Sequence, residues 1–169
     1  MNISYLLIGG NEGDRVAALA AARTHIEAAA GPIRNASSLY ETAPWGKTDQ
    51  ADFLNQALQI ETLLDAPALM DTLLGIEAQM GRSRTAKYGS RIIDIDILFF
   101  NDAIIRQPRL VIPHPEIPNR RFVLAPMEEI APFYIHPVLG VSVRELLLTC
   151  KDPLVVKKTD AERAKQQRT

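Results

Sequence analysis

Cysteine is nearly missing from this 169-residue chain, since Cys150 stands alone. An internal disulfide framework is therefore excluded, and the three histidines are too scattered to offer zinc-ligand spacing. Cys150 follows the apolar run Leu146-Leu147-Leu148 and reads as a small core residue. No apolar stretch approaches the roughly 18–20 residues that cross a bilayer. Residues 1–9 lack the basic start and long apolar centre of a signal peptide and suit a buried strand better, so a cytoplasmic location is expected. Internal repeats are missing, and so is an evident nucleophile triad. Gly9-Gly10-Asn11-Glu12-Gly13 fits neither the P-loop nor the Gly-x-Gly-x-x-Gly fingerprint, and reads as a turn leading into a helix.

A strong net charge is missing too: 19 basic residues face 20 acidic ones, for a total of -1. The cancellation is uneven. Residues 1–81 hold four bases against ten acids, whereas residues 82–121 hold eight bases against four. Such a basic block speaks about ligands and solubility, not about fold. The composition, 47% hydrophobic and 23% charged with a mean hydropathy of -0.03, excludes a disordered or collagen-like chain. A chain of ~150 residues buries roughly 68–70% of its unfolded surface, enough for one core without metal or disulfide support. One domain is expected over residues 1–156, followed by a charged, frayed tail at 157–169.

Periodicity supplies the elements. Residues 3–8 read as a strand, and an Ala-rich helix reaches about Ala30 before Gly31-Pro32 stops it. Strands are expected at 33–41 and 53–62, separated by a turn-rich loop. Asp65 caps a second helix with Pro67 in its first turn, and Gly81 ends it. A strand then runs from Ile92 to Phe100. The order strand-helix-strand-strand-helix-strand implies an α+β fold on the ferredoxin-like βαββαβ plan, an antiparallel sheet with both helices on one face. Beyond it, short helices are expected near 120–130 and from Ser142, where Ser142 and Glu145 have capping-box spacing.

The strongest chemical signal lies in Arg91-Ile92-Ile93-Asp94-Ile95-Asp96-Ile97-Leu98. In a strand Ile93, Ile95 and Ile97 face one way and Asp94 and Asp96 the other, with Cα atoms of the two acids about 6.6 Å apart. Paired carboxylates can hold Mg²⁺, which takes one or two of them together with substrate phosphates. Alone, such a pair more often describes a half-exposed strand whose acids meet solvent or pair with Arg. Upstream, residues 82–91 carry Arg82, Arg84, Lys87 and Arg91 with no acid, a set suited to phosphate. Arg109, His114, Arg120 and Arg121 extend the positive field, and His114 is stiffened between Pro113 and Pro115.

These residues resemble the 6-hydroxymethyl-7,8-dihydropterin pyrophosphokinases of folate biosynthesis. The family pattern, an aromatic, Gly, a small residue or Pro, Arg, two residues and Asp-x-Asp, reads here as Tyr88-Gly89-Ser90-Arg91-Ile92-Ile93-Asp94-Ile95-Asp96. Further blocks match in order up to about residue 148. Among them are Ile8-Gly9-Gly10-Asn11, Tyr40-Glu41-Thr42-Ala43-Pro44, Asp52-Phe53-Leu54-Asn55, Ile112-Pro113-His114-Pro115 and Asn119-Arg120-Arg121-Phe122. Gly10, Ala43, Tyr88 and Ser90 stand where the family more often has Ser, Pro, Trp and Pro.

The resemblance implies transfer of pyrophosphate from MgATP to the pterin hydroxymethyl group with release of AMP. It implies that Asp94 and Asp96 hold two Mg²⁺ and that Arg82 and Arg91 are catalytic, embracing the phosphates. Glu77, Arg84, Ile97, Arg109, His114 and Arg120 would line the ATP site. Thr42, Ala43, Pro44, Trp45, Phe53, Asn55 and Phe122 would form the pterin pocket, with Asn55 bonding the ring edge and the two phenylalanines stacking on its faces. The partners are then ATP and a reduced pterin, with no nucleic acid or membrane, and the chain is expected as a monomer. The competing reading is a ferredoxin-like RNA-binding module using residues 82–121. Such modules display stacking aromatics on central strands, whereas this strand presents two acids.

Overall fold

The computed structural model describes residues 1–43, 50–81 and 92–166. The elements follow from local sequence. Strand β1 (Asn2–Gly10) leads to helix α1 (Arg15–Ala29), whose N-cap Asp14 accepts from the Ala17 amide at 3.1 Å. Gly31 follows the helix at φ +145°, a conformation L side chains rarely adopt, and a Cβ there would overlap the Glu61 carbonyl oxygen. The expected strand at 33–41 is two strands, β2 (Ile33–Ala36) and β3 (Leu39–Thr42). Ser37 divides them because its hydroxyl accepts from the Ala57 amide and its carbonyl from the Gln56 side chain.

Strand β4 (Phe53–Thr62) precedes helix α2 (Ala66–Gln79), capped by Asp65, which accepts from the Ala68 amide at 2.9 Å. Strand β5 (Asp94–Phe100) completes the alternation. A short hairpin, β6 (Ile105–Gln107) and β7 (Leu110–Ile112), and a 3-10 turn at Ile117–Asn119 connect it to helices α3 (Arg121–Ile130) and α4 (Val143–Thr149). The Ser142 hydroxyl accepts from the Glu145 amide, as the capping-box spacing implies.

The main sheet has the order β5-β1-β4-β3, with β2 also on β4, and these strands pair antiparallel. Alternation then divides the core. Leu6, Ile8, Leu54, Leu58, Ile95 and Ile97 meet Leu19 and Ile26 of α1 and Leu69 and Leu73 of α2 on one face. Tyr5, Leu7, Ala57 and Phe99 meet Val123, Leu124, Met127, Val143 and Leu146 of α3 and α4 on the other.

One expectation is corrected at the C-terminus. The region from 157 to 166 is built into the fold and is not frayed. Strand β8 (Val156–Thr159) pairs with β3, and helix α5 (Ala161–Gln166) buries Ala164 in the core. The exposed Lys157 and Lys158 that make the segment look like a tail are what an outer strand commonly carries. Among the described residues no helix is long and apolar enough to cross a membrane.

Candidate active site

Strand register decides which side chains share a face. Gly9 of β1 pairs with Asp94 on one side and Asn55 on the other, and Tyr40 pairs with Asn55. Partners across antiparallel strands project to the same face. Asp96, two residues from Asp94, and Phe53, two from Asn55, join that face, and Thr42 lies opposite Phe53. This is the face covered by α3 and α4, and Phe122 at the start of α3 packs against its apolar cluster. Asp94, Asp96, Thr42, Phe53 and Asn55 thus share one sheet face, and Phe122 lies in the first turn of the helix that packs over it. Ile97 is not: its side chain is 3% exposed in the opposite core, against α1 and α2.

Local contacts tune these residues. Glu77 of α2 is 4% exposed, and its Oε1 accepts from the Ile95 amide at 2.7 Å. A helix carboxylate therefore grips β5 between the two aspartates. Asp96 is exposed and Asp94 half-buried, so hard oxygen donors stand at the surface of an otherwise apolar strand. Among the described residues no group of three or more His, Cys, Asp or Glu could by itself cage an ion. Two carboxylates without a full cage suit Mg²⁺, which keeps waters and substrate phosphates as its remaining ligands.

The Asn55 side chain is 5% exposed and Phe53 is half-buried. Thr42 Oγ1 is buried with no hydrogen-bond partner among the described residues. Such a group carries a desolvation cost unless something else bonds it, and a polar ligand edge is one such partner.

His114 leaves β7 through a cis Ile112-Pro113 bond, and its amide donates to the Leu98 carbonyl at 3.0 Å, fixing it beside β5. Nδ1 accepts from the Glu116 amide at 3.1 Å, so the neutral ring carries its proton on Nε2. Burial lowers its pKa, and Arg120 lowers it further against the opposing effect of Glu116. The ring is a neutral donor at physiological pH. Arg120 pairs with Glu116 at 3.4 Å, and its guanidinium lies 5.8 Å over the Phe122 ring.

Its neighbour Arg121 is employed structurally, donating to the Cys150 carbonyl at 3.0 Å and through its amide to Asp152. Of this pair, Arg120 is the one beside the aromatic face. Arg109 is exposed at the tip of the β6–β7 hairpin, and Ala43 is exposed at the end of β3. Arg82, Arg84, Arg91, Pro44 and Trp45 lie outside the described residues.

Two supporting residues carried no role in the sequence reading. Asn11 Nδ2 donates to Gln50 Oε1 at 3.1 Å and to the Ala51 carbonyl at 3.0 Å. Arg15, 4% exposed, donates to the Asp52 carbonyl at 2.9 Å and pairs with Glu41 at 3.7 Å. Both hold the segment that enters β4 just before Phe53. The only sequence signal was the position of Asn11 within the Ile8–Asn11 block; a buried arginine reads as an ordinary solvent-facing charge.

The chain is 44% identical over 148 residues to a 2-amino-4-hydroxy-6-hydroxymethyldihydropteridine pyrophosphokinase of Methylorubrum extorquens, covering 87% of this chain and 92% of that one. It is 44% identical over 131 residues to the Bacillus subtilis protein of the same name, covering 76% and 78% respectively. A crystal structure of a Plasmodium falciparum HPPK-DHPS triple mutant with pteroate superposes with a TM-score of 0.73 at 22% identity, over 87% of this chain. That match shows a shared fold, and this chain spans 43% of that chain's length. The sequence model of the 7,8-dihydro-6-hydroxymethylpterin-pyrophosphokinase family matches residues 5–132, and the chain belongs to that family.

Proposed function

We propose that the protein transfers pyrophosphate from ATP to the hydroxymethyl group of 6-hydroxymethyl-7,8-dihydropterin, releasing AMP, as a step of folate biosynthesis. The observation that carries this is one sheet face bearing Asp94, Asp96, Asn55 and Phe53, with Phe122 at the start of the helix that packs over that face. The strand order β5-β1-β4-β3, with α1 and α2 on one face, supports a ferredoxin-like core to which α3, α4 and β8 are additions.

In this reading the bicyclic pterin is stacked between Phe53 and Phe122, with Thr42, Ala43, Pro44 and Trp45 completing the pocket. Asn55 offers both a donor and an acceptor to the ring edge. Asp94 and Asp96 would hold two Mg²⁺, and the chemistry supplied there would be neutralisation of charge along the phosphate chain. The Nε2–H of His114 and the guanidinium of Arg120 contact ATP, Arg84 and Arg109 add to the positive field, and Arg82 and Arg91 embrace the transferring group. Glu77 acts through β5 by holding the Ile95 amide, and Ile97 supports the strand from its core side. The pterin hydroxyl oxygen attacks the β-phosphorus, the bond to the α–β bridging oxygen breaks, and AMP leaves while the hydroxyl proton passes to solvent. Such transfers depend on positioning and electrostatic stabilisation more than on covalent help from the protein. The enzyme would act as a cytoplasmic monomer.

The RNA-binding alternative gains no support, because the β5 face presents carboxylates where such a module needs stacking rings. The decisive assay supplies MgATP and fresh reduced pterin. Stoichiometric AMP and pterin diphosphate are expected, and ADP as the sole nucleotide product would refute the reading.

A further inference from the structure

Gly9 belongs to no turn. It lies inside β1 between Asp94 and Asn55, and it is not among the glycines with positive φ. Its need for a hydrogen in place of a side chain comes from space. A Cβ built there would overlap Asn55 Oδ1, with Asn55 Cγ and the Leu54 carbonyl oxygen each 3.1 Å away. The Asn55 amide therefore leans across β1, over the Gly9 Cα, toward the strand that carries Asp94. Two inter-strand spacings separate the Cα atoms of Asn55 and Asp94, about 10 Å.

We infer that Gly9 is a positioning residue for the pterin substrate: its missing side chain is the slot that holds the Asn55 amide in the orientation that reads the ring edge. The inference rests on the pocket proposed above. An asparagine amide discriminates a heterocycle only in a fixed orientation, because its two ends are a donor and an acceptor and exchanging them reverses the match. A methyl group at position 9 displaces the amide to another rotamer. The displaced atom ends a flexible side chain, so the strand itself can stay in register. His114 and Arg120, proposed for the nucleotide, lie off the Gly9 row, and their geometry does not pass through this slot.

The test is a cycle of Gly9→Ala, Asn55→Ala and the double variant, titrated separately with 6-hydroxymethylpterin and with a non-hydrolysable ATP analogue plus Mg²⁺. Loss of well-placed edge hydrogen bonds predicts pterin binding weakened about tenfold or more in Gly9→Ala, with nucleotide binding held within about twofold. The double variant should bind pterin no worse than Asn55→Ala alone, since with the amide gone the added methyl group meets only the Leu54 carbonyl oxygen, at 3.1 Å, which a small local shift relieves. Thermal unfolding supplies a second reading: Gly9→Ala should lower Tm less in the Asn55→Ala background than in the wild type.

Unchanged pterin affinity in Gly9→Ala, additive losses in the double variant, or equal Tm losses in both backgrounds would each overturn the inference. Wild-type protein that ignores pterin would instead overturn the pocket reading, leaving the Tm cycle to judge the Gly9–Asn55 contact by itself.

Discussion

Arg15, at the start of α1, donates through Nη2 to the Ala164 carbonyl at 2.8 Å, joining positions 149 residues apart. The same guanidinium holds the Asp52 carbonyl and Glu41. One buried cation thereby links the C-terminal helix, strand β3 and the entry to Phe53.

Replacing Arg15 with Met should cost about 2–4 kcal/mol, because Glu41 and two carbonyl groups would lose a buried partner together. Urea denaturation measures this. In steady-state kinetics the pterin KM should rise more than the ATP KM, since Asp52 adjoins Phe53 and not the His114 segment. A stability loss under 1 kcal/mol would show that water replaces the guanidinium without penalty.

Asp96→Ala should reduce turnover by at least about 10³-fold while shifting Tm by no more than a few degrees. The side chain is exposed, so the core does not depend on it, whereas metal-assisted charge stabilisation does. Excess chelator should abolish AMP release from the wild type, and added Mg²⁺ should restore it. Appreciable turnover by the variant would refute the metal role of this carboxylate.

His114 makes stability depend on pH with a definite sign. Burial holds its folded pKa below the ordinary 6.5, so the unfolded chain binds the proton first as pH falls. Stability is then complete above about 6.5 and declines as pH drops toward the lower folded value. Buried His136, lowered for the same reason, contributes the same sign. Denaturant midpoints between pH 7 and pH 5 should fall in the wild type and fall less in His114→Gln, with His136 contributing to the residual slope.

Glu129 acts in a separate, more acidic window. Partial burial alone would raise its pKa, but hydrogen bonds from Tyr40 and Ser38 and the nearby Lys158 hold it below the ordinary 4.5. Its contribution is present above that value and is lost below it.

Gly31→Ala should destabilise by roughly 3 kcal/mol or more, because the residue combines φ +145° with a backbone carbonyl where the methyl group would go. Gly13→Ala, at φ +68° with open space around it, should cost only about 1 kcal/mol. Comparable losses at the two positions, read from thermal unfolding, would remove the Glu61 contact as the cause.

Long periodic elements were legible in the chain because burial leaves a pattern: α1, α2, β4 and the Asp94–Asp96 strand lie where alternation or helical spacing put them. What stayed hidden has no such pattern. The four residues of β2 bury no consistent face, and β6 and β7 have three residues each. Strand β8 shows its lysines to solvent. Within the site, the metal strand could be read from its carboxylates, whereas Gly9 and Arg15 matter through contacts with distant positions. Gly9 resembled a turn because glycine is most often needed for its backbone freedom. Here it is needed for its lack of bulk.

The row Asp94, Gly9, Asn55, Tyr40 and Lys158 crosses five strands, each residue registered against the next by backbone pairing. The interval between the carboxylate and the amide is consequently set by peptide geometry, as on a ruler whose divisions are inter-strand hydrogen bonds. Surface sequence can drift without rescaling it. Only a shift of register, which would turn every side chain of a strand to the opposite face, could move one mark against another.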